Sequence, residues 1–398
     1  MSIVNYMVAE MEIVVLDKNT KGIIAKKHNI AMDFVHDVRE WLTKNSNNSI
    51  YLYGAGNHLR WIVLFFKKFR IPIKMILDTK KDGVYEGILI KRFKFFVESI
   101  SSGKEHCWFV ISAPSAAESI SECIRKEFPS SKITCCDMQM YTEFIPDVEE
   151  YRKYLLKNWK VFNQLSEDLQ DEHSRRVLNC ILKGRITGNI QYYRNCYSPE
   201  PYYCKDIISF SPKEVMVELG GYDGETLLRF IEICPRFQAV YCFEPDRSLL
   251  PRLYEIQKEQ IRAGNKVTII DKGAWDKIDK IRFITNSISD NGTMSLSNFG
   301  ESYSEVDVTT VDSVVIERIS YMKMDIEGSE LKALHGAENQ IRENKPKLAV
   351  CVYHKPKDLI EIWKYLKNLV PEYHFFLRHH TQNAGTDTIL YAIADKEF

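Results

Sequence analysis

The chain alternates short apolar runs with longer amphipathic ones, and it does so twice. The first series follows a helical stripe at Ala31–Leu42 (Met32, Phe34, Val35, Val38, Leu42) and a polar break at Asn45–Asn48. Apolar runs at Ile50–Tyr53, Ile73–Leu77, Trp108–Ser112 and Lys132–Cys136 predict strands, with helices at Leu59–Phe69 and Ala116–Glu127 between them. The second series begins at Glu214. It predicts strands at Val215–Leu219, Ala239–Phe243, Lys266–Ile270, Ser320–Met324, Lys347–Val352, His374–Leu377 and Thr388–Ile393. Helices are predicted at Glu225–Ile233, Arg247–Ala263, Ser329–Glu343 and Lys357–Leu369. Strands that alternate with helices build parallel sheets through crossovers, so each series predicts a Rossmann-like α/β unit. Between them, Glu149–Lys183 carries Leu155, Trp159, Phe162, Leu165 and Leu169 at helical spacing and predicts a helical connector. Thr285–Tyr303, rich in Ser, Asn and Gly, breaks the rhythm and predicts a loop of the kind that closes over a site.

Composition narrows the function classes. The 398 residues include 54 basic and 54 acidic side chains, and this zero net charge argues against a general nucleic-acid binder. No apolar run approaches the roughly 18–20 residues that span a bilayer. Met1–Glu12 lacks the basic start, apolar core and cleavage site of a signal peptide. The ten cysteines form no CxxC pair, and Cys135 and Cys136 are adjacent. This pattern predicts reduced thiols and a cytoplasmic protein.

The stretch VMVELGGYDGETLL (215–228) raises the chemical question. Ligands of open α/β sheets bind outside the carboxyl ends of the strands, where Glu218 sits. Gly220, Gly221 and Gly224 let the backbone approach a ligand, but the spacing is G-G-x-x-G rather than the G-x-G-x-x-G of pyrophosphate loops. Glu218 and Asp223 would repel a phosphate. They suit a cationic cofactor without one, and S-adenosylmethionine is such a molecule. Glu244, ending the second strand in CFEPD, can accept both hydroxyls of a ribose. The third strand runs into Asp271–Trp275, where Gly273 and Ala274 leave room for an adenine and Trp275 can stack on it or simply pack.

The stretch YMKMDIEGSELKAL (321–334) supplies the other half of a site. Asp325 ends a strand beside the glycine loop and can hold the cofactor's amino group, a substrate hydroxyl or a metal; Glu327 can share these roles. Glu330 reads better as a helix-start acid. His354 emerges at the same sheet edge, with Tyr353 before it as a substrate contact; either His354, matched to proton transfer near neutral pH, or Asp325 can take the acceptor's proton. Asp325, Glu327 and His354 can hold Mg²⁺, although one histidine and two carboxylates are too few to be diagnostic. Arg378, His379 and His380 form a basic cluster that can grip an anionic acceptor group or stand as a solvated loop. Tyr202 and Tyr203 can close above the acceptor.

These segments, with VDVTTVDSV, VYHKPKDL and the terminal FFLRHHT and TILYA, resemble the FkbM-type methyltransferase family over about residues 200–398. The resemblance implies a class I S-adenosylmethionine-dependent methyltransferase acting on oxygen of natural products, sugars or glycans. It places the methionine end of the cofactor at Glu218–Gly224, the ribose at Glu244, the adenine at 271–275, and the methyl group or acceptor near Asp325 and Glu327. Two departures stand out: Glu218 replaces an aspartate, and Gly221-Tyr222 replaces an Ala-Asn pair. The fold expected is α/β with two Rossmann-like units, the C-terminal one a seven-stranded class I methyltransferase sheet with helices on both faces. The expected domains are 1–148, a connector at 149–210, and 211–398.

The first unit has its own loop, GAGNHLRW, with Leu59 at the third glycine position and Asp78 placed 22 residues after Gly56. It can bind NAD or a nucleotide-sugar, or serve packing, homo-oligomer formation or acceptor recognition. Three functions follow: an O-methyltransferase using the second unit, an NAD-linked oxidoreductase using the first, and a non-catalytic binding module.

Overall fold

Both alternating series become largely parallel sheets. The computed structural model describes residues 18–56, 59–100, 106–113, 116–135, 146–285, 302–382 and 385–394. The chain divides into two compact units, 1–156 with 182–189, and 157–181 with 190–398, so the connector segment is shared between them.

The first unit begins with the helix Lys18–Lys44. Its strands are β1 (Ser49–Tyr53), β2 (Met75–Asp78), β3 (Gly83–Tyr85), β4 (Ile88–Arg92), β5 (Cys107–Ile111) and β6 (Lys132–Cys135), in the order β3-β4-β2-β1-β5-β6. All pairings are parallel except β3 with β4. That hairpin was not expected. It turns on Glu86 and Gly87, both at positive φ, which suits a two-residue turn. Its strands are short and mostly exposed or half-buried, so no apolar run marks them.

The second unit contains β7 (Val215–Leu219), β8 (Ala239–Phe243), β9 (Val267–Ile270), β10 (Gly273–Ala274), β11 (Asp279–Thr285), β12 (Ser302–Thr309), β13 (Tyr321–Met324), β14 (Lys347–Cys351), β15 (His374–His379) and β16 (Thr388–Ile393). Seven of them form one sheet in the order β15-β16-β14-β13-β7-β8-β9, with β16 antiparallel to both of its neighbours. Every residue of β7, β8 and β13 is buried, which a sheet covered on both faces requires. Helices Glu225–Ile233 and Leu250–Arg262 pack Leu227, Phe230, Leu253 and Ile256 into one core with Met216, Val240 and Tyr321.

Two local expectations change. The 285–303 stretch is flanked by β11 and β12, an antiparallel pair, and the part of the expected lid at 286–301 lies outside the described residues. The single helix expected at Ser329–Glu343 is two, Glu330–His335 and Glu338–Asn344. The break falls at Gly336, where a Cβ would overlap the carbonyl of Trp275. The described cysteines are all free thiols, and among the described residues no helix is long and apolar enough to cross a membrane.

Gly336→Ala should therefore destabilise the second unit by about 1–3 kcal/mol, the usual cost of overpacking. Thermal unfolding measures it, and an unchanged Tm would show that the backbone contact is not tight.

Candidate active site

Two charges face each other in the middle of the sheet. Glu218 on β7 is the direct register partner of Lys323 on β13, and both side chains are almost wholly excluded from solvent. Their charged groups lie 3.4 Å apart. Lys323 also donates to the Gly220 carbonyl (2.7 Å) and lies 5.0 Å from the centre of the Tyr202 ring. The Thr226 hydroxyl donates to Glu218. Burial pushes the Glu218 carboxyl up against the pull of Lys323 and Thr226. Burial also works against the Lys323 ammonium, but Glu218 and Asp325 outweigh it and keep the lysine charged.

From this pair the chain turns into the glycine loop. Gly220 has φ +85°, and a Cβ there would overlap the Asp325 carbonyl, so the loop can pass β13 only as glycine. Its amide donates to the Phe243 carbonyl (3.1 Å), holding the loop against the end of β8. A cavity of about 330 Å³ opens at these strand ends. Phe243, Pro245, Leu249, Gly273 and Ala274 make an apolar side of it. Glu244 stands beside them, its carboxylate accepting the backbone N–H groups of Tyr222 (2.9 Å) and Asp246 (2.8 Å). Among the described residues, seven acids line the cavity (Asp223, Glu225, Glu244, Asp246, Asp325, Glu327, Asp387) against one cation, Lys323.

The far wall is a cluster around Asp325. Its oxygens accept hydrogen bonds from the hydroxyls of Tyr202 (2.7 Å) and Tyr353 (3.2 Å). Burial opposes its charge, but Lys323, His354 and the two hydroxyls prevail and hold it below the ordinary carboxylate range. His354 stands behind it, with Nε2 3.5 Å from Asp325 and 3.4 Å from Glu327, and Nδ1 3.1 Å from Glu330. These are ionic approaches without hydrogen-bond angles. Burial pushes the imidazole down, but Glu330, Asp325 and Glu327 overcome it and raise it to about 9. Burial raises Glu327 to about 7, against the pull of His354. Glu330 is buried and accepts the amides of Ile326 (3.0 Å) and Gly328 (3.3 Å), which shapes the turn carrying Glu327.

Four residues on the cavity wall are held at positive φ without being glycine: Tyr202 (67°), Tyr222 (47°), Glu327 (55°) and Asp387 (52°). Such conformations are costly and gather where side chains must be aimed.

The structure brings Gly220, Tyr222, Glu244, Gly273, Ala274, Asp325, Glu327 and Tyr353 onto one cavity. Glu218 lies beneath the loop rather than in its wall. Gly221 and Gly224 serve packing, since a Cβ at either would overlap Cys242 or Ile256. Trp275 is not on the wall. The other acceptor-side residues correct the sequence reading. Arg378 is buried and paired with Asp171 (2.8 Å) and Asp206 (2.6 Å), so its charge is already used. His379 is buried against Thr388 (3.0 Å). His380 is buried, bonded to the Ser198 carbonyl (2.8 Å) and the Tyr391 hydroxyl (3.1 Å), and burial pushes it down to about 4, leaving it neutral. Tyr203 is buried with its hydroxyl on the Thr226 carbonyl (2.7 Å).

Lys323 and Asp387 were missed. A lysine inside the apolar strand YMKM, beside an acid inside VMVEL, was the available sign of a buried pair. Asp387 carried no signal beyond preceding the last strand.

The raised His354 has a consequence for stability. The folded chain binds this proton more tightly than the unfolded chain, whose histidine titrates near 6.5. The stabilisation is complete below that pH and is lost as pH rises through about 9. Metal-free protein should lose on the order of 3 kcal/mol across this window. His354→Gln should flatten the profile of Tm against pH; an unchanged slope would refute the assignment.

The geometry can now be set beside known proteins. Residues 218–379 match the family model described as the methyltransferase FkbM domain. The crystal structure of methyltransferase FkbM from Methylobacillus flagellatus KT has a similar fold, with 23% identity, 94% of this chain and 98% of that chain covered, and a TM-score of 0.64. Fibrillarin from Aeropyrum pernix with bound S-adenosyl-L-methionine is more distant, with 13% identity, 48% of this chain and 72% of that chain covered, and a TM-score of 0.31. No curated protein matches the chain. Residues 218–379 thus carry a methyltransferase FkbM domain.

Proposed function

We propose that the chain is an O-methyltransferase that methylates a hydroxyl of a small molecule or sugar, with glycans and nucleotide-sugars as the leading acceptor class. One observation carries the reading: an acid-lined cavity, with a single lysine among its described residues, runs from a ribose-matched glutamate to a carboxylate–histidine cluster. The donor set fits the cofactor. Seven acids suit a sulfonium and an ammonium and would repel a pyrophosphate. Glu244, anchored by two amides, has lone pairs left for a vicinal diol, and the Phe243–Ala274 side suits a flat base.

When bound, S-adenosylmethionine supplies a methyl group on a positively charged sulfur. The chain supplies the rest. His354 already carries a proton at neutral pH, so the role of base expected of it passes to Glu327. Glu327 lines the cavity and accepts the hydroxyl's proton as the oxygen forms its new bond to carbon. His354 keeps Asp325 and Glu327 from repelling each other. Asp325, fixed by Tyr202 and Tyr353, orients the acceptor or the cofactor's amino group.

The oxidoreductase reading is weaker. Asp78, the acid expected for a ribose in the first unit, accepts three backbone amides, from Ala55 (2.8 Å), Lys80 (2.8 Å) and Lys81 (3.0 Å). It shapes its own turn. We assign the first unit to packing, self-association or acceptor recognition, and the protein to the cytoplasm.

Calorimetric titration with S-adenosylhomocysteine should show binding that Glu244→Ala abolishes, while NADH shows none. Binding of NADH alone would move the chemistry to the first unit. Glu327→Gln should lower kcat by about 10²–10⁴-fold, the usual contribution of a general base, with cofactor affinity within a few-fold of wild type. Near-normal turnover would remove Glu327 from the mechanism.

A further inference from the structure

The cluster behind the cavity is more elaborate than proton transfer requires. His354 has a side chain only 9% exposed, yet neither ring nitrogen makes a hydrogen bond of acceptable geometry among the described residues. Glu330 is 1% exposed, and its Oε2 is likewise without a hydrogen-bond partner among them. Polar atoms buried this deeply are normally bonded, and those that are not call for an explanation such as an ion.

We propose that Asp325, Glu327 and His354 form a binding site for one divalent cation. Small divalent ions hold oxygen and imidazole ligands at about 2.0–2.2 Å, which sets neighbouring ligand atoms about 3.0–3.5 Å apart. Nε2 of His354 lies 3.5 Å from Asp325 Oδ1 and 3.4 Å from Glu327 Oε2. The other ring nitrogen faces Glu330 at 3.1 Å. Metal-binding histidines are usually oriented through their second nitrogen by a carboxylate in this way. Glu330 is itself fixed by the amides of Ile326 and Gly328, and Asp325 by Tyr202 and Tyr353. Asp325, Glu330 and His354 bring one ligand atom each within 4.8 Å of one another, so the cluster is compact enough to surround one ion.

One imidazole with carboxylates suits ions such as Mn²⁺ or Zn²⁺ better than an all-oxygen site would. Asp325 and Glu327 line the cavity, so the ion's remaining positions open toward the acceptor. A hydroxyl bound there becomes more acidic, and its proton passes to the unligated oxygen of Glu327. This catalytic role rests on the methyltransferase reading; the binding does not.

The test uses full-length protein stripped with chelator and titrated with Mn²⁺, with free Mn²⁺ read by its paramagnetic resonance. S-adenosylhomocysteine affinity is measured on the same samples. One Mn²⁺ per chain is expected, with His354→Gln and Glu327→Gln each weakening it by at least about tenfold. Should His354→Gln unfold, Glu327→Gln, at the cavity surface, decides. Absence of Mn²⁺ binding in a protein that still takes up S-adenosylhomocysteine would overturn the cation site and leave the methyltransferase reading standing. Mn²⁺ affinity equal to wild type in Glu327→Gln would also overturn it. Mn²⁺ uptake without S-adenosylhomocysteine binding would keep the site and overturn the assigned role.

Discussion

The buried pair of Glu218 and Lys323 is the constraint around which the second unit is arranged. Desolvating two charges costs several kcal/mol per ion, and their attraction repays it only when the geometry is good and further bonds are made. Here the register of β7 against β13 supplies the geometry. Thr226 and the Gly220 carbonyl supply the further bonds. The pair therefore ties the glycine loop, the helix at Glu225–Ile233 and the strand bearing Asp325 to one point. Lys323 is also the only cation among the described residues of the cavity, and it leads the groups that hold the buried Asp325 below the ordinary carboxylate range. Replacing the pair with apolar residues of similar size could preserve the fold and would still dismantle the electrostatics of the cavity.

Around that point the chain accepts unfavourable backbone. Tyr202 is an example: its hydroxyl reaches Asp325, its amide donates to the Tyr391 hydroxyl (3.1 Å), and its carbonyl accepts from Tyr321 (2.8 Å). Two tyrosines, Tyr321 and Tyr391, fix the left-handed Tyr202 so that its hydroxyl meets one carboxylate. Glu327 is held similarly, with Gly328 and the Glu330 carboxylate bracketing its turn. The rigidity of the site comes from strands and buried hydroxyls rather than from long loops.

Much of this was legible in the residues. Period and run length placed the seven strands of the second sheet and β1, β2, β5 and β6 of the first to within two residues, because buried parallel strands read as continuous apolar runs. Glu244, Asp325 and the glycine loop were legible because strand ends in such sheets converge on one edge. The rest was hidden for physical reasons. The β3–β4 hairpin has no buried face to create a pattern. The split at Gly336 depends on a distant carbonyl. Arg378, His379 and His380 were read as an anion-gripping cluster or a solvated loop because sequence shows charge but not partners: Asp171 and Asp206, far away in the chain, pair with the arginine. The rise in the His354 pKa depends on three carboxylates of the segment after β13 meeting a histidine on the loop after β14.

The acid-lined cavity bears on what happens after transfer. Loss of the methyl group turns a sulfonium into a neutral thioether, so the spent cofactor carries one positive charge fewer than the fresh one. If the cofactor sits in this cavity as proposed, walls with seven acids and, among the described residues, one lysine would hold the charged reactant more firmly than the product. The electrostatics proposed to admit the cofactor would then also favour release of the by-product.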